Sequence, residues 1–487
     1  MSITDAARRI DVVPPVIQGG MGVGVSGWRL ASAVARAGGL GVISGVAPDL
    51  LLARMLQDGD PEGHVRRAIA TYPDQVFVDQ TLRRFFRAAG RPESGEYRPI
   101  PKLDLNQRID AVRLTALGAY MQVWLAREGH DGTVGINLLE KVQLWTPATV
   151  LGAMVAGVDA VLVGAGVPRR IPRLLDELAA GQSVTLPIDV DGATADDKYE
   201  ITLDPRVVLR QAEVSLKRPA FLAIISSHVL AGYLQRDEIT AADGFVVEGW
   251  TAGGHNAPPR RPEIDASGQA VYTDRDNVDL VKMAALGHPF WLAGGYGTPD
   301  KIGEAMAAGA RGVQVGTPFA LCCDSGLRPE LRASMLAAVR DGSAKVRTDA
   351  LASPTGFPFK VLDMAGTMTD PVAHDARGRI CDLGYLRAPF RRDDATVGYR
   401  CPAEPADAYL KKGGDAADLT GRLCLCNGLT AAVGFAQERP DGSVEPPLLT
   451  LGADLAAAHE LLLRYPDGWD AAQVVHWLQE GLPPTSP

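Results

Sequence analysis

From the N-terminus to about residue 320, short runs of Val, Ile and Leu alternate with Ala-rich amphipathic segments. The runs are VVPPVIQGG ending at Gly20, GLGVISG at Gly45, TVGINLL at Leu139, AVLVGAG at Gly166, FLAIISS at Ser227, FVVEG at Gly249, FWLAGG at Gly295 and VQVGTPF at Phe319. Near-continuous apolar runs bounded by Gly predict strands buried on both faces, and hence parallel strands joined by crossover helices. Eight such units predict an α/β fold, a (β/α)8 TIM barrel over residues 12–326, rather than an open sheet.

The segments between the runs carry helix signals. Ser26 is placed to cap WRLASAVARAGG, in which Leu30, Val34 and Ala37 share a face and Gly38-Gly39 ends the helix. Thr298-Pro299 opens PDKIGEAMAAGA with Pro at the first helical position. The stretch from Gly45 to Thr133 is too long for one helix. Its amphipathic segments, around the Pro-rich RPESGEYRPIPKLD, predict a helical insertion over 46–131 that covers the barrel mouth or builds a subunit contact. A polar excursion, DVDGATADDKYEITLDP, precedes the fifth strand. After Phe319 the alternation stops, and the Gly and Pro density of 327–487 predicts an irregular C-terminal extension packed on the barrel, with an amphipathic helical tail.

Composition narrows the partners. With 46% hydrophobic and 22% charged residues the 487-residue chain reads as globular, and a net charge of -9 without any dense Lys/Arg run argues against nucleic acid. A small-molecule substrate is expected, and a homo-oligomer is left open. The start, MSITDAARRIDVVPPV, lacks an apolar leader core, and no segment reaches the roughly 18 to 20 apolar residues of a membrane span, so a cytoplasmic protein without a membrane partner is expected. Six Cys in a chain of this length suit thiols or metal ligands better than a disulfide framework.

In such a barrel the chemistry sits at the C-terminal ends of the strands. Glycine at nearly every end favours a ligand approached closely by backbone. The amides of Gly294-Gly295-Tyr296-Gly297 and of Val315-Gly316-Thr317, each beside a helix start, predict a phosphate, and FMN suits the barrel. Gly22-Val-Gly24-Val-Ser-Gly27 matches G-x-G-x-x-G, but the next run ends in Ser44-Gly45 and the nearest acid, Asp49, lies beyond Pro48, so a dinucleotide is disfavoured. His255, just past a strand end in a Gly-rich loop, is the candidate general base, against the reading of a structural histidine. His228 either caps a helix or adds a second polar group to the pocket. Glu248 can accept from a ribityl chain or sit in a rim ion pair. Gln314 can be a cofactor ligand or part of a polar core layer, and Asn137 can read a flavin edge or be a satisfied core amide. Cys381, Cys401, Cys424 and Cys426 leave zinc open against buried thiols, with only Cys424-Leu-Cys426 closely spaced, and no metal is assigned. Cys322-Cys323 read as core. No G-x-S-x-G, P-loop or H-E-x-x-H motif is present.

Three segments, PVIQGGMGVGVSGWRLASAVARAGGLGVISG, VEGWTAGGHN and AGGYGTPDKIGEAMAAGARGVQVGTPF, together resemble the nitronate monooxygenase (2-nitropropane dioxygenase) family. Those are FMN-dependent (β/α)8 barrels, in one superfamily with flavin-dependent enoyl-acyl-carrier-protein reductases. The resemblance covers about Val13 to Phe319. It implies that Gly20, Met21 and Gly22 line the isoalloxazine and that Asn137 and Glu248 contact ring or ribityl atoms. Gly253, Gly254, Gly294, Gly295, Gly316 and Thr317 would surround the phosphate, with Gln314 nearby. His255 matches the family's active-site histidine, acting on a nitroalkane or nitronate with O2 as oxidant. The chain departs from the pattern at Asn256-Ala-Pro-Pro-Arg260, in its long insertion and in its extension. Three readings follow: nitronate oxidation first, NAD(P)H-dependent enoyl-thioester reduction second, and a non-enzymatic flavin scaffold third.

Overall fold

The computed structural model describes residues 9–92 and 95–483. The first eight residues of the chain, two residues of the Pro-rich stretch and the last four of the extension lie outside the described residues. All eight apolar runs contain parallel strands: β1 Val16–Gln18, β2 Gly41–Ser44, β3 Val134–Leu139, β4 Ala160–Gly164, β5 Ala220–Ile225, β6 Gly244–Glu248, β7 Phe290–Ala293 and β8 Gly312–Val315. Their order is β1-β8-β7-β6-β5-β4-β3-β2. The ring closes between β1 and β2 through the parallel bridge of Ile17 with Leu40. The bridge consists of Leu40 N–H to Val16 O at 2.9 Å and Gln18 N–H to Leu40 O at 3.0 Å. The fold is a (β/α)8 barrel.

That seam is short of backbone pairs, and a side chain supplies the rest. Gln18 is fully buried. Its carboxamide acts as a strand surrogate: Nε2 donates to Val42 O at 3.1 Å and Oε1 accepts from Val42 N–H at 2.9 Å.

Both faces of the strands are buried, which is why the runs lack polar alternation. Ile17, Val42, Leu162, Leu222, Val246 and Trp291 fill the lumen, with the small Ala160, Ala220 and Ala293 making room for Trp291. Ile10 and Val13 close it from below, and Trp291 Nε1 donates to Pro14 O at 3.0 Å. The alternate set, including Ile43, Ile136, Phe221, Phe245 and Val313, packs outward against helices.

Two local expectations change. The first crossover helix is Trp28–Arg36 with Gly27 at its cap, so Ser26 is not the cap. The buried Ser26 hydroxyl instead accepts from Met21 N–H at 2.8 Å, satisfying an amide in the tight turn after β1. The eighth run ends earlier, because Thr317–Ala320 is already helical. Pro299–Ala307 does start with Pro299 after Thr298.

The insertion is helical: Pro48–Gln57, His64–Ile69, Gln75–Phe85 and Ile109–Arg127. Ile109–Arg127 packs against both Trp28–Arg36 and Thr146–Val155, so it is the outer helix between β2 and β3 and not a cover over the mouth. The polar excursion before β5 is a hairpin of Val184–Pro187 with Glu200–Leu203. The extension carries two more hairpins, Lys345–Asp349 with Phe359–Asp363 and Ala388–Arg391 with Val397–Arg400. Its last helix, Ala471–Gln479, packs on Trp28–Arg36 and on Pro299–Ala307. The ring of outer helices is therefore completed by the end of the chain. Among the described residues, no helix is long and apolar enough to cross a membrane.

Replacing Gln18 by Leu keeps the volume but strands the Val42 N–H and C=O. A loss of about 2–4 kcal/mol in urea unfolding is expected, and unchanged stability would show that the seam does not need the amide.

Candidate active site

The two-residue period of the strands builds the floor. One pleat above the lumen layer, Val42 gives way to Ser44, Gly135 to Asn137, Val246 to Glu248 and Gly312 to Gln314. An apolar barrel thus ends in a polar surface at the C-terminal rim. Asn137 Oδ1 and Gln314 Oε1 are buried there without a hydrogen-bond partner among the described residues. Orphaned buried acceptors of this kind are costly unless a ligand meets them.

Two joined cavities lie on this floor, of about 160 Å³ and 140 Å³. Gly20, Gly22, Glu248, Gly253, Gly254 and Gln314 line both. The first adds Met21, Gly294, Gly295, Gly316 and Thr317, and the second adds Asn137 and His255. His255 and each candidate cofactor residue therefore border this space, whereas His228 does not. Gly20 is required by close approach, since a Cβ there would lie 2.2 Å from Asn137 Cβ. Gly294 has φ +82°, and a Cβ would lie 2.8 Å from Gly249 O. Gly24, the middle glycine of the G-x-G-x-x-G string, instead faces Leu51 and Val433.

The N–H of Gly294 belongs to the ladder that pairs Ala293 with Gln314, while those of Gly295 and Gly316 have no partner among the described residues. No Lys or Arg lines the first cavity, and Asp454 does. An anion held here is held by backbone donors.

The roof comes from the extension, which sequence reasoning placed on the barrel without naming residues. Phe359, Tyr385, Leu386, Leu425 and Leu429 cover the second cavity, and Leu449 to Gly452 border the first. Backbone pairing fixes it: Lys360 N–H donates to Gly254 O at 2.8 Å and Asn256 N–H to Pro358 O at 2.9 Å. Gly254 N–H donates to Thr450 Oγ1 at 3.0 Å, and Gly452 N–H to Thr317 Oγ1 at 2.9 Å. The quoted departure after His255 is part of this contact, because Asn256 is buried with Nδ2 donating to Ala252 O at 3.1 Å.

His255 lies beneath Phe359, ring centroids 4.9 Å apart and edge to face, and its Nε2 is 2.8 Å from Ser353 Oγ. Ser353 is fully buried and in turn meets Thr355 Oγ1 at 2.8 Å. Burial pushes the His255 imidazole down to about 4, so it is neutral at pH 7. Burial likewise raises Glu248 to about 8, opposed by Lys360. Lys360, itself lowered to about 8 by burial, sits under the stacked rings of Trp250 and Tyr272 and donates to Thr348 Oγ1.

The other candidates go elsewhere. His228 is the first residue of helix His228–Leu234, capped by Ser227, and borders neither cavity. All six cysteines are free, and among the described residues no group of three or more His, Cys, Asp or Glu is arranged to hold a metal. Cys426 faces the second cavity.

The sequence model of the nitronate monooxygenase family matches residues 5–57 and 210–348. Over these two segments the chain is similar to that family. Its two matched segments hold β1, β2, β5 to β8 and every site residue named above except Asn137, while the roof beyond residue 348 lies outside them. A relative from Mycobacterium tuberculosis, "(3aS,4S,5R,7aS)-5-hydroxy-7a-methyl-1-oxo-octahydro-1H-indene-4-carboxyl-CoA dehydrogenase", is 27% identical over 230 residues. That alignment covers 44% of this chain and 60% of the relative's length. The enoyl reductase domain of MlnA from the macrolactin biosynthesis cluster of Bacillus amyloliquefaciens shares the fold. Its TM-score is 0.51 at 11% identity, over 98% of this chain and 96% of that one. Nitroalkane oxidase from Streptomyces ansochromogenes aligns with a TM-score of 0.47 at 16% identity, over 97% of each chain.

The family is one of flavin-dependent oxidoreductases, and the residues here suit a flavin. Two unpartnered amide oxygens could accept from ring or ribityl donors, and the glycine rim leaves N–H groups at Gly295 and Gly316 that could meet a phosphate.

The buried imidazole makes a pH prediction. The unfolded chain takes up a proton at His255 near pH 6.5, which the folded chain resists until about pH 4, so stability is lost as pH falls through that window. In His255→Gln this acid limb of the stability curve should flatten relative to the parent; superimposable limbs would contradict a neutral buried His255.

Proposed function

We propose that the chain is an FMN-dependent oxidoreductase of the nitronate monooxygenase type, oxidising alkyl nitronates with O2. The observation that carries this reading is a neutral His255 in the substrate half of a space whose other half is built from free backbone donors. Gly294, Gly295, Gly316 and Thr317 would hold the phosphate, and Gly20 to Gly22, Asn137 and Gln314 the ring edge and ribityl chain. When bound, the flavin supplies electron transfer between substrate and O2.

The chain's own part is positioning and charge. The cavity disfavours imidazolium, so His255 meets an already anionic nitronate more readily than it strips a proton from a neutral nitroalkane. With Nε2 engaged by Ser353, Nδ1 is the nitrogen left for the substrate. The apolar roof of Phe359, Leu386, Leu425 and Leu429 excludes water and suits an alkyl chain.

A second reading, NAD(P)H-dependent reduction of an enoyl thioester, draws on one further observation. Tyr385 and Leu386 also border an outer groove with Lys141 and Arg387, which gives a long substrate with an anionic end somewhere to lie. The relative's name, a carboxyl-CoA dehydrogenase, likewise specifies a CoA thioester as substrate.

Anaerobic mixing of the FMN-reconstituted protein separates the readings. Bleaching by an alkyl nitronate without NADPH is expected. Bleaching by NADPH alone would transfer the assignment to the reductase, and failure to take up FMN would end both. His255→Ala should keep FMN but lose about 100-fold or more in turnover of neutral nitroalkanes. Unchanged turnover would remove His255 from the chemistry.

A further inference from the structure

A third cavity, of about 70 Å³, lies where the insertion meets the extension, behind Tyr385. Its floor holds Arg54, on helix Pro48–Gln57, which is only 2% exposed. The guanidinium donates to two neutral acceptors, Phe435 O and Gln437 Oε1, and lies over the Tyr97 ring with Cζ 4.4 Å from its centroid. Nε has no partner among the described residues. No carboxylate of a described residue lies within 4.0 Å of it. Two acids, Asp49 and Asp382, line the same cavity, and they and Asp58 are engaged by other donors. Asp58 takes Arg91 at 2.7 Å and the Tyr97 hydroxyl at 2.7 Å, and Asp382 takes Asn427 at 2.5 Å and Arg439 at 3.3 Å. Asp49 accepts from Tyr385 at 2.6 Å and Leu50 N–H at 3.0 Å.

A buried cation without a counter-charge is costly, and its removal from water is normally balanced by a partner. Burial lowers the Arg54 guanidinium only to about 10, which leaves it charged at neutral pH. At the mouth of the same cavity stand two more cations, Arg98 and Lys102, both exposed. The Trp145 indole N–H also borders it, beside Asp49 without closing a hydrogen bond. Cations at mouth and floor, with an unspent guanidinium donor, are the features by which proteins bind oxyanions.

We propose that this cavity is a second ligand site, separate from the flavin space, that takes a small oxyanion, a carboxylate or a phosphate, on Arg54. The site does not depend on which reaction the barrel performs. Tyr385 borders both this cavity and that of His255, so an anion here sits one side chain away from the substrate space.

The test titrates the full-length protein with inorganic phosphate and, separately, with succinate, at ionic strength held constant with chloride. Thermal unfolding and tryptophan fluorescence are followed. A saturable rise in Tm of a few degrees with one of the two is expected, and which one identifies the ligand chemistry. Lys102→Ala should weaken the apparent affinity about 3-fold and Arg54→Gln should abolish the rise. If Arg54→Gln does not fold, Trp145→Phe reads the same site, since it should lose the fluorescence change while keeping the rise in Tm. Three results would overturn the proposal: no saturable rise with either anion, an equal rise with chloride (an adventitious ion only), or affinity unaltered in both cation variants.

Discussion

Two backbone hydrogen bonds, Lys360 N–H to Gly254 O and Asn256 N–H to Pro358 O, tie the loop after β6 to the extension, and the active-site space depends on them. Without that pairing the rim of the barrel would be an open polar surface. With it, Phe359 lies on His255, Ser353 reaches Nε2, and Lys360 is carried inward beneath Trp250 and Tyr272. The same contact removes His255 and Glu248 from bulk water and sets their protonation, one toward neutral imidazole and the other toward neutral carboxyl. Enclosure and electrostatics are thus one effect.

The architecture separates constant from variable parts. The matched segments supply strand ends, glycine rim and histidine. The unmatched extension supplies the roof and, through Ala471–Gln479, the last outer helix. Cofactor affinity then belongs mainly to the barrel and substrate choice mainly to the roof, a division this fold permits because loops and added segments meet at one end of a rigid frame.

Local patterning made the barrel legible, because strands buried on both faces leave apolar runs that nothing else in the chain imitates. The candidate residues were legible for a related reason: Asn137, Glu248 and Gln314 break apolar runs at their C-terminal ends, and His255 follows one directly. What stayed hidden was long-range. Nothing in SPTGFPFK announces that Phe359 will pair beside His255, more than 100 residues earlier, since no period or spacing encodes that contact. Ser26 misled because a serine before a helix satisfies two different local needs, and here the turn amide of Met21 claims it over the helix terminus. The Gly-rich string misled similarly, with Gly20 serving the close approach to Asn137 and Gly24 making a left-handed turn, φ +72°, under Leu51.

The central claim is that this rim binds a flavin nucleotide through the free backbone donors of Gly295 and Gly316. The most direct measurement is a comparison of FMN with riboflavin by flavin-fluorescence titration of the apoprotein. The two ligands share every ring and ribityl contact and differ in the phosphate alone. The account predicts FMN binding tighter by about 100-fold, as two or more charge-assisted hydrogen bonds would give. Equal affinities would mean that no phosphate is held at the glycine rim, and would contradict it.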